Sequence, residues 1–190
     1  MGHAKCHLMT RAVWMAFVVA ACGGPDANSP SRPLPTYEGP QAELFDDAID
    51  PTAVGLSLED TRTPLSDDKL LQRTHVGDAV LRAKVLTITE KKDEREGSNI
   101  EYQLGFQVLE KLTGKYAPDG EFVVRLDKTA PSAGIVNSLG ARLGGKTFVV
   151  FLKQFKDANN EPRYYAHFSA DSKDVLAAVQ NALALEEFKQ

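Results

Sequence analysis

The chain has 190 residues, 43% of them hydrophobic, with 22 basic and 26 acidic residues and a formal charge of −4. That length is enough for one domain with a sizeable buried core. The acidic balance speaks against a nucleic-acid binder, which carries a basic face, and against polybasic attachment to anionic lipid.

At the N-terminus, Lys5 and Arg11 precede an apolar run over residues 12–20 that includes Val13, Trp14, Met15, Phe17, Val18 and Val19. The run is too short to span a bilayer, and with its basic start it reads as a secretory signal. It ends in Val19-Ala20-Ala21-Cys22. Small residues leading directly into a cysteine resemble the lipobox of bacterial lipoproteins, where the thiol is diacylated and the chain is cut just before it. The resemblance implies lipidation at Cys22 and loss of residues 1–21, together with Cys6, His3 and His7. The processed chain then has one cysteine, which carries lipid, so no intramolecular disulfide is available. Its charges become 20 basic and 26 acidic, a balance of −6. One short acyl chain anchors marginally and two or three anchor stably. Gly23, in place of an aspartate after the cysteine, implies the outer membrane.

Residues 23–40 hold Pro25, Pro30, Pro33, Pro35 and Pro40 and almost no large apolar side chain. They cannot bury enough surface to offset ordering, so they read as a tether. Roughly 18 residues at ~3.1 Å each would reach about 55 Å. Residues 41–63 are more apolar (Leu44, Phe45, Ile49, Val54, Leu56 and Leu58) but are broken by Pro51 and Gly55, and are expected to lie across the domain surface. Residues 65–74 predict a short helix capped by Ser66 or Asp67, with Leu70 and Leu71 inward.

Residues 78–89 predict a strand. Its apolar parity switches from Leu81, Ala83 and Val85 to Leu86 and Ile88, which predicts a bulge. Residues 91–99 form a charged hairpin loop. Ile100, Tyr102, Leu104, Phe106 and Val108 alternate with Glu101, Gln103, Gly105 and Gln107, the pattern of a half-buried strand. After a turn at Pro118-Asp119-Gly120, Phe122, Val124 and Leu126 alternate through another strand. Ile135, Leu139 and Leu143 recur every four residues, predicting a helix over 132–143 that stops at Gly144-Gly145. The unbroken apolar run 148–152 suits a strand covered on both faces. After a turn at 157–162, Tyr164, Ala166 and Phe168 alternate with Tyr165 and His167. A terminal helix capped by Asp171 or Ser172 has an apolar stripe of Val175, Ala178, Val179, Ala182 and Leu183.

The expected fold is mainly β with two or three helices: a five-stranded antiparallel Greek-key barrel of the OB kind, with a helix between its third and fourth strands and another at its end. The expected division is a signal at 1–21, a lipid-anchored tether and transitional segment at 22–62, and the barrel at 63–190. Residues 77–168 resemble the netrin-like, or tissue-inhibitor-of-metalloproteinase-like, branch of that fold. The resemblance rests on 78–85 opening the first strand, on 102–115 ending Leu109-Glu110-Lys111-Leu112-Thr113-Gly114, and on Gly145-Lys146-Thr147-Phe148-Val149-Val150-Phe151. Inhibitors of that family chelate zinc through a free N-terminal cysteine amine. A lipidated Cys22 is not available for this, and the animal family's disulfides are missing, so the mechanism is not carried over.

Residues 140–147, Gly-Ala-Arg-Leu-Gly-Gly-Lys-Thr, match the P-loop pattern letter for letter. A P-loop needs a strand before it and a helix after it, so that the helix N-terminus faces phosphate. Here the predicted order is reversed, so the match reads as a helix stop and no nucleotide is expected. His75, read as a loop residue, and His167, read as a strand residue at a barrel mouth, are too few to make a zinc site. The acidic pairs Asp46-Asp47, Asp67-Asp68 and Asp93-Glu94 lack the alternation of a calcium loop. Ser138 sits in no nucleophile elbow. No metal, cofactor or catalytic set is therefore expected. The leading expectation is a lipid-anchored binding or assembly module that engages an envelope protein or polymer through an exposed surface of Tyr102, Tyr116, Tyr164, Tyr165 and His167. The alternatives are an envelope enzyme or inhibitor, marked by a buried polar constellation near His167, and a structural spacer.

Overall fold

The structure, a computed structural model, describes residues 32–56, 63–92 and 100–187. Residues 34–190 form one compact unit. The signal, Cys22, tether residues 23–31, Leu58 and most of the charged hairpin loop lie outside the described residues. Tether residues 35–37 are held on the domain, through backbone bonds to Lys156 and the stack of Tyr37 on Tyr165.

Six strands make one sheet: β1 (Ala48–Ile49), β2 (Ala79–Lys92), β3 (Ile100–Thr113), β4 (Glu121–Asp127), β5 (Thr147–Lys156) and β6 (Pro162–Ala170), in the order β1-β6-β5-β2-β3-β4. Among the described residues four α-helices accompany it: α1 (Gly39–Leu44), α2 (Asp68–Val76), α3 (Ala133–Leu143) and α4 (Lys173–Glu187). The protein is mainly β, as the alternation of its apolar residues predicts.

β2 is the pivot. Its first half, from Ala79 to Lys84, pairs with β5, and its whole length runs antiparallel to β3. Three register shifts interrupt the β2–β3 ladder, between Val80 and Leu81, between Arg82 and Ala83, and between Val85 and Thr87. The last falls where the parity of β2 switches. Bulges add local twist, and here the sheet curls into a half-barrel. Inside the curl lie Leu81, Ala83, Val85, Leu104, Phe106, Val124, Leu126, Phe148, Val150 and Phe168. β4 shows the cleanest alternation, with Phe122, Val124 and Leu126 buried and every residue between them exposed.

A second core lies on the other side of β5 and β6. Val80, Val149, Phe151, Phe155 and Tyr165 meet Val175, Ala178 and Val179 of α4, Leu70 of α2, and Leu44 and Phe45. β5 is therefore covered on both faces, which its continuous apolar run requires. The helices start where their caps predict. Asp67 accepts the Lys69 N–H at 2.9 Å ahead of α2, and Ser172 accepts the Val175 N–H at 3.3 Å ahead of α4.

Three expectations are corrected. Residues 41–56 do not merely cross the surface: Phe45 is fully buried, and Leu44, Ile49 and Val54 are buried too. Leu44 and Phe45 enter the second core with α2 and α4, Ile49 and Val54 enter the core inside the curl, and β1 adds a sixth strand, parallel to β6. α3 buries Ala133, Val136 and Leu143 deepest, with Ile135 and Leu139 only partly covered. His75 is not in a loop; it is an exposed residue in the last turn of α2.

Candidate functional site

Two polar features stand out. The first is a clasp formed by residues 44–50 on β6. Asp47 has φ 55, a left-handed conformation that Asp tolerates through local hydrogen bonding. Its N–H donates to the Ala166 carbonyl at 2.8 Å, and its Oδ1 accepts the Ala166 N–H at 2.8 Å. The Asp50 N–H donates to the Phe168 carbonyl at 2.8 Å. Between these bonds lies His167, buried, with Nδ1 at 3.1 Å from Asp46 Oδ1 and Nε2 at 3.0 Å from Asp50 Oδ1. Ser169 donates to the other Asp50 oxygen at 2.6 Å. Arg73 reaches from α2, and its Nε donates to the Leu44 carbonyl at 2.7 Å.

The electrostatics follow from this packing. Burial works against charge on His167, but the hydrogen bonds to Asp46 and Asp50 outweigh it and raise its pKa above the ordinary imidazole value. Burial likewise opposes charge on Asp46 and Asp50, yet bonding to His167 leaves both carboxyls below the usual range. Asp47 differs. Burial pushes its carboxyl up to about 8, with the Ala166 N–H and Arg163 pulling only partly the other way.

The second feature is a cleft of about 450 Å³, bounded by the outer face of β3 and β4, the 157–161 turn and the start of β6. Lys91, Arg125 and Arg163 line it with Gln103 and Tyr164, and Asp157 and Glu161 stand at its turn side. Asp157 builds that turn by accepting the Asn159 and Glu161 N–H groups. Arg163 crosses from β6 to β4, donating to the Arg125 carbonyl at 2.7 Å and to Asp127 at 3.1 Å. No backbone ladder joins β4 to β6 among the described residues, so this guanidinium bridges the seam between them. It lies 4.7 Å from the centroid of Tyr165, which stacks on Tyr37 at 3.7 Å. The Arg163 Nε is buried and meets no acceptor among the described residues.

The tyrosines do not form one exposed surface. Tyr102 is buried in the core inside the curl, and Tyr165 is buried in the second core. Both rings are too large and apolar to stay in water where a covered face is at hand. His167 is buried between its carboxylates and stands at no open mouth. Tyr116 is 40% exposed, and Tyr164 lines the cleft. Cys22 lies outside the described residues. Residues 140–147 run from α3 through Gly144 and Gly145 into β5, helix before strand, as the sequence predicts.

Among the described residues no group of three His, Cys, Asp or Glu side chains is arranged to hold a metal. Asp46 and Asp50 lie on opposite nitrogens of His167 and cannot converge on one ion. No helix of the described residues is long and apolar enough to cross a membrane. Sequence reasoning missed Asp50, Arg73 and Arg163. It noted Asp46-Asp47 and His167 separately, and nothing local links residues 121 apart. No protein-family model, curated protein or solved structure matches the chain.

Proposed function

We propose that the chain is a lipid-anchored binding module of the bacterial envelope, held in the outer membrane through Cys22, with an OB-like barrel of the netrin-like kind at the end of its tether. The observation that carries the binding reading is the cleft of about 450 Å³ beside β3 and β4. OB barrels bind extended polymers across these central strands and the loops at their ends. Its lining suits such a ligand. Three basic side chains supply donors for carboxylates or other anionic groups, Gln103 can donate and accept, and Tyr164 offers a flat apolar contact. A buried polar constellation surrounds His167, the feature that marks the enzyme or inhibitor alternative, but both ring nitrogens are engaged by carboxylates and neither is open to a substrate proton.

Two measurements test this reading. Mass spectrometry of membrane-purified protein should find acylated Cys22 as the first residue, and Cys22→Ser should abolish both acylation and cleavage. An N-terminus elsewhere without lipid overturns the anchor. The lipidated protein should cosediment with isolated cell-wall polymer in a salt-sensitive manner, and Arg125→Glu should weaken retention while leaving the fold intact. Equal retention by Arg125→Glu removes the cleft from the proposal.

A further inference from the structure

We propose that His167, gripped by Asp46 and Asp50, is a proton-dependent clasp that fastens residues 44–50 to β6 and releases them as pH rises. The geometry carries the argument. Both ring nitrogens lie within about 3 Å of a carboxylate oxygen, 3.1 Å to Asp46 and 3.0 Å to Asp50. Ionised carboxylates only accept hydrogen bonds, so both contacts are satisfied only when both nitrogens carry protons. Neutral imidazole has one N–H. Deprotonation therefore turns one contact into two facing lone pairs, on a buried ring whose two carboxylates are 35% and 37% exposed.

Among the described residues, the charged and polar groups at His167 and along the strap fit this assignment. From the strap come Asp46, Asp50 and, one residue from each ladder bond, Asp47. β6 contributes Ser169, which donates to Asp50, and Arg163, which lies 3.7 Å from Asp47. Arg73 of α2 bonds the Leu44 carbonyl and disfavours the imidazolium, an effect smaller than that of the two carboxylates. β5 contributes the Phe151 ring. Ser132, ahead of α3, donates to the Asp47 carbonyl, and Asp127 of β4 adds negative charge toward Asp47.

The pH window follows. The raised pKa of His167 makes its contribution complete below the ordinary imidazole value of about 6.5 and progressively lost as pH climbs through the folded value. The lowered pKa values of Asp46 and Asp50 make theirs complete above about 3.9 and lost as pH falls through their folded values. The clasp is closed between those limits. Between the ordinary imidazole value of about 6.5 and the folded value of His167, each rise of one pH unit weakens the closed strap by about tenfold, and the loss levels off above the folded value. The strap follows residues 35–37, where Lys156 of β5 already holds the chain: its N–H donates to the Pro35 carbonyl and its carbonyl accepts the Tyr37 N–H. The clasp does not depend on the lipid-anchored reading.

Amide exchange on the full chain, corrected for intrinsic rates and followed from about pH 6 to 9, tests it. The Asp47 and Asp50 amides should lose protection by tenfold or more while Val149 and Val150 of β5 keep theirs. Asp47 titrates in the same strap and the same direction, so the measurement is repeated in Asp47→Asn, where release should persist. In Asp46→Asn, His167 keeps one carboxylate, its folded value falls, and the loss of protection should be smaller and level off at lower pH. The proposal is overturned by flat strap protection across the range, by simultaneous loss in strap and β5, by disappearance of the release in Asp47→Asn, or by a loss of unchanged extent in Asp46→Asn.

Discussion

Phe106 of β3 and Phe168 of β6 stack with centroids 5.4 Å apart and planes 16° from parallel, although β5 and β2 lie between their strands in the sheet. Phe122 of β4 extends the stack at 5.2 Å. The three rings cross the interior of the curl, so they hold its two ends in register. Phe106→Ala is expected to destabilise the domain by about 3 to 5 kcal/mol, since it removes a fully buried ring and breaks both stacks. Gln107→Ala, exposed one position later, should cost under about 0.5 kcal/mol. Denaturant melts measure both. Equal losses would mean that the curl is not held by this stack.

The P-loop match should bind no nucleotide. A phosphate site uses a helix N-terminus, where backbone N–H groups and the dipole face the anion. Residues 144–147 follow α3 and meet its C-terminal, negative end. Lys146 holds its place through backbone bonds, from its own N–H to the Leu143 carbonyl and from the Val85 N–H to its carbonyl, and Lys146→Ala keeps both. The variant should change stability by less than about 0.5 kcal/mol. Micromolar ATP binding by calorimetry, lost in Lys146→Ala, would overturn this assignment.

β3 and β4 were legible from sequence because each has one covered and one wet face, and period-two alternation records that difference directly. The double cover of β5 was legible from its unbroken apolar run. The last bulge of β2, between Val85 and Thr87, showed in its parity switch, although Leu86 itself is exposed, and the two earlier shifts left no mark in the pattern. β6 was harder. Both of its faces are covered, so the alternation of Tyr164, Ala166 and Phe168 with Tyr165 and His167 carries no information about exposure, and Tyr165 was taken for a surface residue. β1 has two residues, too few for any period. The clasp was out of reach because Asp46 and Asp50 meet His167 across more than a hundred residues, and sequence spacing encodes only local neighbours.

Gly114, at the end of β3, has φ +115, and a Cβ there would collide with the Asp78 carbonyl and the Ala79 Cα. Both obstacles are backbone at the β2 entry, which is bonded to Leu152 of β5 and cannot step aside. Gly120 also has positive φ, +71, but a Cβ there meets open space. Gly114→Ala should therefore cost well over about 1 kcal/mol, and Gly120→Ala should cost nearer the strain of a left-handed alanine, about 1 kcal/mol. Thermal melts of the two variants should rank them in that order. The reverse order would contradict the close approach of Gly114 to β2.

Asp47 supplies a prediction in which removing a charge stabilises the protein. Its carboxyl is pushed up to about 8 by burial, against about 3.9 in an unfolded chain. An acid harder to ionise in the fold than out of it makes stability fall as pH rises from the unfolded value through the folded one, then level off. Asp47→Asn cannot ionise. Its amide oxygen can still accept the Ala166 N–H that Oδ1 now accepts at 2.8 Å, and asparagine tolerates the left-handed φ of 55. The loss is the 3.7 Å pairing with Arg163, which keeps Asp127 as a partner. Near pH 4 the two proteins should melt at similar temperatures. The gap should open as pH rises above about 3.9 and be complete near the folded value of about 8, leaving the wild type melting lower from there to pH 9. The decline due to His167 remains in both and cancels in the comparison. Parallel melting curves across the range would mean that Asp47 is ionised throughout, with Arg163 outweighing burial at this site.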